Sequence, residues 1–445
     1  MAQDKPPVAF IGLGAMGFGM ATHLIKQGYP VTGFDVWGPT LDKFKAAGGS
    51  TSSTPSEAVS GKDYCVCMVA TAQQAQAVLL DGENPAITSL PQGAVVLLCS
   101  TVPCAYVQGL EKELVSRGRG DILLVDCPVS GGAIRAGNGT LSIMAGASDQ
   151  AMEKGLDLLK AMSDTEKLYI VKGGVGAGSN MKMCHQVLAA NQILSSGEAM
   201  GFASHLGLDL DQVSAEIIKS EGWSWMLENR MPRILDSNHQ PLASAVTIII
   251  KDTSIITSEA RRYKFPTPMT SVAEQVYFSA LGRGFGPDDD GGLIRLYTEG
   301  KGRVGPVTGL AQTKEDKLSL VVSLLKGIHL ASAAETLAYA HHVGLDLDQV
   351  FELCINAAGG SAMLSAVGPE IMKVLRGEGS QELSQTNATL QTFASELGSA
   401  VDEAQRLKVP LFLGNAALNL MRMALRAAPQ GVSETPAKAI VGVWR

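Results

Sequence analysis

A lysine and a histidine lie one helical turn apart in the stretch GVGAGSNMKMCHQ, residues 174–186. They are Lys182 and His185, and glycines lead into the helical pattern that carries them. Side chains three residues apart share one face of a helix. A lysine beside an apolar cleft loses hydration, so its pKa falls and it can exchange a proton near neutral pH. Oxidation of an alcohol requires such a group, because the hydroxyl proton must leave as the hydride departs. Taken alone, however, a lysine on a helix is more often a solvated surface charge.

A second polar stretch is DCPVSGGAIRAGNGTL at 126–141. Within it, Ser130, Gly131 and Gly132 offer a hydroxyl and two unobstructed backbone N–H groups in a row. That combination suits an anion such as a carboxylate. A glycine-rich turn between two strands would show the same residues. The stretch therefore indicates either an anion site or a tight turn.

The stretch GLGAMG at 12–17 follows an apolar run and has the spacing G-x-G-x-x-G. A helical pattern covers 17–27, and a strand pattern at 31–34 ends at Asp35. The three glycines suit a tight turn, a close approach of the backbone to a pyrophosphate, and close packing of the helix. The carboxylate suits the ribose hydroxyls, and no arginine follows it, so the pattern predicts NAD rather than NADP. The predicted cofactor contacts are Gly12, Leu13, Gly14, Ala15, Met16, Gly17 and Asp35.

Strand patterns at 64–70, 94–100 and 122–126 alternate with helical stretches. Alternating strands and helices predict a doubly wound parallel sheet, so residues 1–175 are expected to form an α/β, Rossmann-like domain. From residue 176 onward the pattern is helical, with long stretches rich in alanine and leucine.

In order and spacing, the motifs resemble those of the β-hydroxyacid dehydrogenase family. The resemblance covers residues 6–300 and rests on the motifs GLGAMG with Asp35, STVP, DCPVSGGAIRAGNGTL, GAGSNMKMCHQ and IIIKD. It implies NAD-dependent oxidation of a small hydroxyacid, with Lys182 as the catalytic acid/base. It also implies that Ser130, Gly131 and Gly132 hold the substrate carboxylate. By the same resemblance, Thr101 lies by the nicotinamide and Lys251 lines the cofactor and substrate cleft.

The pair His185-Gln186 departs from the Asn-Asn or Asn-Gln of many family members. With WSWMLENRMPRIL at 223–235, it makes the chain most similar to the L-threonate dehydrogenase branch, which acts on four-carbon polyhydroxy acids. A histidine can both donate to and accept from a substrate hydroxyl, although a core histidine would look alike. We expect both residues of the pair to contact substrate. Four residues of this stretch either line the cleft or serve helix packing and a surface ion pair: Trp223, Trp225, Asn229 and Arg230.

The heptapeptide GLDLDQV occurs at 207–213 and again at 344–350 (344 − 207 = 137). The same offset pairs Glu198 with Glu335, and it becomes 144 where EARRYKFP at 259–266 meets EAQRLKVP at 403–410. A repeat with one small insertion explains both offsets. The heptapeptide itself is typical of a structural corner, with a glycine that ends one helix and an aspartate that caps the next.

We therefore expect two tandem copies of a helical domain like that of the 6-phosphogluconate dehydrogenases, the second one degenerate. The predicted boundaries are 176–304 and 305–430, with GKGRVGPVTG at 300–309 as the linker and a C-terminal tail at 431–445. The offsets map Lys182 onto Ser319 and Lys251 onto Ser395, so the copy lacks both lysines. Family members generally dimerise through this domain. The second copy is thus expected to stand in for a partner subunit, in a monomer or a homodimer.

Two alternatives stay open. An oxidative decarboxylase of the 6-phosphogluconate dehydrogenase type would need a phosphate subsite and would use NADP. A catalytically silent dinucleotide-binding scaffold would bind NAD without turnover, and the retention of Lys182 beside Ser130 counts against it.

Composition narrows the remaining classes. The net charge of −7 and the absence of a Lys/Arg-rich run argue against a nucleic-acid partner. No apolar run reaches the roughly 20 residues of a membrane helix, and the N-terminus lacks a secretory pattern. Seven cysteines, an odd number, indicate reduced thiols and a cytoplasmic protein. The run DDDGG at 288–292 lacks the spacing of a calcium loop, so we predict a solvated loop and no metal site.

Overall fold

A computed structural model of the chain describes residues 5–236, 238–239, 242–298, 313–378, 388–428 and 435–445. It divides into two compact units. Unit 1 comprises Met1–Lys182 together with Gly344–Asp346, and unit 2 comprises Met183–Val343 and Leu347–Arg445. The predicted linker at 300–309 lies outside the described residues.

Unit 1 alternates strands and helices, as the sequence predicts. In chain order they are β1 (Val8–Ile11), α1 (Gly17–Lys26), β2 (Val31–Phe34), α2 (Gly38–Ala46), β3 (Ser50–Thr51), α3 (Pro55–Val59), β4 (Tyr64–Cys67), α4 (Ala72–Gln76), β5 (Val95–Leu98), α5 (Cys104–Ser116), β6 (Leu123–Asp126), β7 (Val129–Ser130), α6 (Gly132–Asn138), β8 (Leu141–Ala147), α7 (Asp149–Met162) and β9 (Ser163–Ile170).

Strands β1 to β6 form the parallel, doubly wound sheet that was predicted, in the order β3-β2-β1-β4-β5-β6. Alternate residues of a strand point to opposite faces. Phe10 and Leu97 accordingly join a core with α1 and α7, and Ile11 and Leu98 join a second core with α3 and α5. Both faces are therefore covered, which is why these strands read as continuous apolar runs.

Two features of the sheet differ from the sequence prediction. The strands predicted at 64–70 and 94–100 end earlier, at Cys67 and Leu98. There the chain leaves the ladder, and Val69 N donates to Ser100 Oγ at 2.8 Å. The sheet also continues past β6 in a mixed arrangement, because β8 pairs antiparallel with β6 and β7 and parallel with β9.

The remaining elements are helical. In chain order they are α8 (Ala177–His205), α9 (Leu210–Ile218), α10 (Trp225–Leu235), α11 (Val246–Arg262), α12 (Pro268–Gly282), a 3₁₀ helix (Asp290–Leu296), α13 (Lys314–His342), α14 (Leu347–Ile355), α15 (Ala362–Leu375), α16 (Leu390–Leu407), α17 (Phe412–Ala427) and a second 3₁₀ helix (Ala437–Trp444). Helix α8 begins in unit 1 and continues into unit 2.

We call the described residues 176–298 the first helical segment and residues 313–445 the second helical segment. Both begin with a helix of 29 residues, and the two helices start 137 positions apart (314 − 177 = 137). Helices α9 and α14 keep this offset, and the starts of α11 and α16 differ by 144 (390 − 246 = 144). The helix order of the first segment therefore recurs in the second at the offsets read from the sequence.

Both copies of GLDLDQV form a corner. Gly207 and Gly344 each have a φ of +75°, the left-handed conformation that favours glycine after a helix. In the first copy the side chain of Asp209 caps α9, accepting from the backbone N–H of Asp211 at 3.0 Å. The motif has the structural role predicted for it.

Two predictions about the helical half were wrong. Residues 435–445, expected to be a tail, contain the second 3₁₀ helix, in which Ile440 and Val441 are fully buried. The run DDDGG was expected to be a solvated loop, but Asp290 is 1% exposed and pairs with Arg230 at 2.7 Å. The 3₁₀ helix is buried because apolar residues recur along 437–444. Asp290 is buried because it pairs with arginines that lie 57 and 60 residues upstream.

The seven cysteines are all buried and free. Among the described residues, one helix, Lys314–His342, is long and apolar enough to cross a membrane, and 83% of its most apolar window is buried inside the protein. That burial is typical of a core helix.

Candidate active site

Each of the three glycines in the loop between β1 and α1 has its own structural reason to be glycine. Gly12 has a φ of +94°, and a Cβ there would lie 2.3 Å from Met68 O. A Cβ on Gly17 would lie 1.9 Å from Gly12 O, so only glycine lets the helix start this close to the turn. Around Gly14, by contrast, a Cβ would meet no atom within 4 Å. The loop is therefore open only at its second glycine, and it fits a pyrophosphate approaching the backbone there.

Asp35 lies at the end of β2 and is fixed to the glycine loop. Its Oδ2 accepts from Leu13 N at 2.7 Å, and its Oδ1 accepts from Trp37 N at 2.9 Å. The carboxylate is partly exposed, and the next two side chains, Val36 and Trp37, are 90% and 65% exposed. The predicted ribose contact and the predicted phosphate contacts thus lie side by side, as a dinucleotide requires.

The other predicted contacts of unit 1 follow strand ends. Thr101 comes after β5 and is partly buried. Ser130 ends β7, pairing with Ser142 of β8, and is partly exposed. Gly131 and Gly132 are exposed and have φ values of +139° and +73°, so both need glycine in any case. Their backbone is open to solvent, but the turn by itself would also explain the two glycines.

Asp126 anchors the start of α8, a role that the sequence motifs did not suggest. Its carboxylate accepts from Ser179 N and Ser179 Oγ, each at 2.7 Å, and it is fully buried. Burial raises its pKa to about 6, while the hydrogen bonds from Ser179 lower it. A Cβ on Gly178 would lie 2.3 Å from Met144 O and 2.5 Å from Asp126 O. The glycine-rich entry to the helix therefore serves close packing against the sheet.

Lys182 lies on the second turn of α8, three residues beyond this anchor, and is only 5% exposed. Lysine is among the residue types least often buried, so its burial here calls for a specific role or partner. His185 follows one turn further along the same helix and is 1% exposed.

In unit 2, four side chains form a connected polar chain. His185 Nδ1 lies 2.9 Å from Gln186 Oε1, Gln186 Nε2 donates to Asp252 Oδ2, and Lys251 Nζ lies 3.3 Å from Asp252 Oδ1. An amide oxygen can only accept, so Nδ1 carries the hydrogen of this contact. The structure thus brings together three predicted residues through Asp252, which the sequence reasoning did not select although it stands in the IIIKD motif.

The aromatic and basic residues of 223–235 have structural partners. Arg230 donates to both carboxylate oxygens of Asp290, at 3.1 and 2.7 Å, and to Asn229 Oδ1 at 3.0 Å. Trp223 Nε1 donates to Glu228 Oε2 at 2.6 Å. Of the two roles the sequence left open, these contacts fit helix packing with an ion pair, and the pair is buried rather than on the surface.

Comparison with known proteins places these elements among dehydrogenases. Residues 7–173 match the family model described as the NAD binding domain of 6-phosphogluconate dehydrogenase. The model described as the NAD-binding of NADP-dependent 3-hydroxyisobutyrate dehydrogenase matches residues 176–297 and 316–441. The chain is 37% identical over 290 residues to an L-threonate dehydrogenase of Cupriavidus necator. The matched region covers 65% of this chain and 95% of the Cupriavidus necator protein.

Two solved structures extend the comparison. A 3-hydroxyisobutyrate dehydrogenase from Salmonella typhimurium is 31% identical, covers 66% of this chain and all of its own, and superposes with a TM-score of 0.59. The 6-phosphogluconate dehydrogenase of Plasmodium falciparum covers 96% of this chain and 93% of its own, with a TM-score of 0.68 and 13% identity. At that identity the second likeness concerns the fold alone, but it extends over both helical segments.

Proposed function

The chain belongs to the β-hydroxyacid dehydrogenase family, and on that premise we propose which residues carry out the reaction and on which substrate. The activity of the family is NAD-dependent oxidation of a CH–OH group in a hydroxyacid. The observation that carries the assignment is the burial of Lys182 on α8, one turn before His185 and just after the anchor formed by Asp126 and Ser179.

In the proposed reaction, Lys182 Nζ accepts the hydroxyl proton of the substrate as hydride leaves the adjacent carbon. A bound nicotinamide cofactor supplies the hydride acceptor. Burial suits this role, because a desolvated ammonium gives up its proton more readily than a hydrated one. Ser130, Gly131 and Gly132 are proposed to hold the substrate carboxylate, with a hydroxyl and backbone N–H groups as donors.

The proposed substrate is a four-carbon polyhydroxy acid such as L-threonate. The support is the similarity to L-threonate dehydrogenases and the orientation of His185 by Gln186. With its Nδ1 hydrogen donated to the amide oxygen, the ring would contact a substrate hydroxyl through Nε2. 3-Hydroxyisobutyrate has no second hydroxyl for such a contact.

For the cofactor we propose NAD, held by residues 12–17, Asp35, Thr101 and Lys251. The glycine loop and the carboxylate next to it fit a dinucleotide, and a fixed negative charge disfavours the 2′-phosphate of NADP. A cytoplasmic location is part of the proposal and is supported by seven free, buried cysteines.

We also propose that the second helical segment is a copy of the first without catalysis, standing in for a partner subunit. Ser319 and Ser395 occupy the positions equivalent to the two lysines, and both are exposed. The family model that matches both segments supports the duplication.

The test compares Lys182→Met with Lys172→Met, which removes an exposed lysine from the same unit. We expect kcat to fall about 10²- to 10⁴-fold in the first variant only, the range typical of a lost acid/base, with NADH binding unchanged by fluorescence titration. Near-normal turnover by Lys182→Met would refute the role of the lysine.

A substrate panel of L-threonate, erythronate, glycerate, 3-hydroxyisobutyrate and 6-phosphogluconate, each with NAD and NADP, tests the rest. Highest kcat/KM with L-threonate and NAD is expected. Turnover of 6-phosphogluconate with NADP and release of CO₂ would favour the decarboxylase. NAD binding without turnover of any hydroxyacid would favour the scaffold.

A further inference from the structure

Each helical segment carries a buried glutamate on its long first helix. Glu198 lies on α8 and Glu335 on α13, at equivalent positions 137 residues apart (335 − 198 = 137), and both are fully buried. Neither carboxylate belongs to the site described above. Each nevertheless has a complete set of hydrogen-bond donors, which indicates a defined structural role.

The two carboxylates cap helices, and they do so crosswise. Glu198 of the first segment accepts from Leu413 N at 3.1 Å and Gly414 N at 2.9 Å, in the first turn of α17 in the second segment. A carboxylate at this end of a helix satisfies free N–H groups and interacts favourably with the helix dipole.

The reciprocal contact has the same form. Glu335 of the second segment accepts from Met269 N at 2.7 Å and Thr270 N at 3.0 Å, in the first turn of α12 in the first segment. The capped pairs are themselves equivalent, since 413 − 269 and 414 − 270 both equal 144. Each segment therefore supplies the glutamate that caps a helix of the other segment. The two capped helices, α12 and α17, are themselves equivalent.

A backbone contact between the segments has the same symmetry. Ser224 forms an antiparallel bridge with Ser361, its own equivalent at the 137-residue offset. On either side, Trp225 N donates to Gly360 O at 2.9 Å and Ala362 N donates to Trp223 O at 3.1 Å. In an isologous interface, residue i of one subunit contacts residue j of the other, and residue j contacts residue i. A residue that contacts its own equivalent therefore lies at the two-fold axis of such an interface.

We propose that the two helical segments pair within one chain as two subunits pair in an isologous dimer, so that this face is closed in cis and unavailable to a second copy of the chain. The proposal rests on the duplication put forward above. Glu198, Glu335, Ser224 and Ser361 are all fully buried, so a second chain could reach them only after the segments separated.

Cysteine cross-linking tests this geometry. Ser224 and Ser361 form a non-hydrogen-bonded antiparallel pair, whose Cα atoms lie about 4.5 Å apart, within the roughly 4.4–6.8 Å that a disulfide spans. Ser224→Cys, Ser361→Cys and the double variant are made in the full chain and mildly oxidised. The wild type, with seven buried cysteines, is the control.

The proposal predicts that only the double variant forms the new disulfide, and that it stays within one chain by non-reducing electrophoresis and intact mass. Covalent dimers of Ser224→Cys alone would show equivalent positions pairing between chains and would overturn it. Covalent dimers of the double variant would show that the segments pair between chains and would also overturn closure in cis, and no cross-link at all would exclude the pairing.

Hydrogen exchange provides a second measurement that leaves Ser224 and Ser361 unchanged. Glu198→Gln should speed exchange about ten-fold or more at the amides of Leu413 and Gly414, since a glutamine oxygen cannot serve both donors equally. It should leave Met269 and Thr270 protected. Glu335→Gln should do the opposite. Effects confined to the segment that carries the substitution would overturn the crossed arrangement. Neither experiment measures enzyme activity, so failure of this proposal is distinguishable from failure of the proposed reaction.

Discussion

The substitution Glu198→Gln or Glu335→Gln should reduce the pH dependence of the free energy of unfolding of unit 2. Burial raises the pKa of Glu198 and of Glu335 to about 7 each, from a usual value of 4.5, while the backbone N–H groups that each accepts from lower it. Between these two pH values the folded protein holds a proton that the unfolded chain has lost. Each carboxylate therefore stabilises the fold below pH 4.5, and this contribution disappears as the pH rises through 7.

The size of the effect follows from the shift in pKa. A shift of one unit corresponds to about 1.4 kcal/mol, so each carboxylate should remove about 3 kcal/mol of unfolding free energy between pH 4.5 and 7. The slope per carboxylate is about −1.4 kcal/mol per pH unit in that window. Glutamine stays neutral at every pH, so each single variant should lose one such slope and the double variant both.

The assay is urea unfolding at half-unit intervals from pH 5 to 8, followed by tryptophan fluorescence. Trp223, Trp225 and Trp444 all lie in unit 2 and report on it. Slopes are compared as variant minus wild type, because other groups titrate in the same range. His329, buried in the same unit with its pKa lowered by burial to about 3, gives the opposite sign.

Glu370→Gln is the matched control. Hydrogen bonds from Lys373 and Lys438 lower the pKa of Glu370, so it is ionised in both states above pH 5. Its replacement should shift the curve without changing the slope. The reasoning fails if Glu198→Gln and Glu335→Gln also leave the slope unchanged, or if either makes stability fall more steeply with pH.

Three further outcomes concern the site. His185→Asn, which installs a residue common in the family, should lower the ratio of kcat/KM for L-threonate over 3-hydroxyisobutyrate about ten-fold or more, because a lost polar contact discriminates strongly; an unchanged ratio would remove the histidine from substrate recognition. Asp35→Asn should lower the preference for NAD over NADP about ten-fold, the equivalent of about 1.4 kcal/mol, as measured by kcat/KM for both cofactors; retention of full NAD preference would contradict its role. Asp126→Asn places an amide N–H against one of the two donors of Ser179 and leaves that donor unsatisfied, which should cost about 1–3 kcal/mol and lower the thermal midpoint of unit 1; a midpoint within 1 °C of the wild type, roughly what 0.3–0.5 kcal/mol would shift, would show that the anchor at Ser179 contributes little to stability.

The sequence determined those features that a few contiguous residues encode. The glycine loop and Asp35 were predicted because turn geometry, close approach and a carboxylate one strand away follow from local spacing. The two corners were predicted for the same reason, since a glycine with a φ of +75° ends each helix. The offset of 137 residues was also evident without the structure, because a repeat is found by comparing the sequence with itself.

Tertiary structure alone decided which polar side chains meet. Gln186 reaches Asp252 across 66 residues, and Glu198 reaches Gly414 across 216. Apolar periodicity shows which face of a helix is buried but not which partner lies opposite it. That is why DDDGG read as a solvated loop although Asp290 pairs with Arg230 in the interior. It is also why the repeat predicted two copies but not that each would cap a helix of the other.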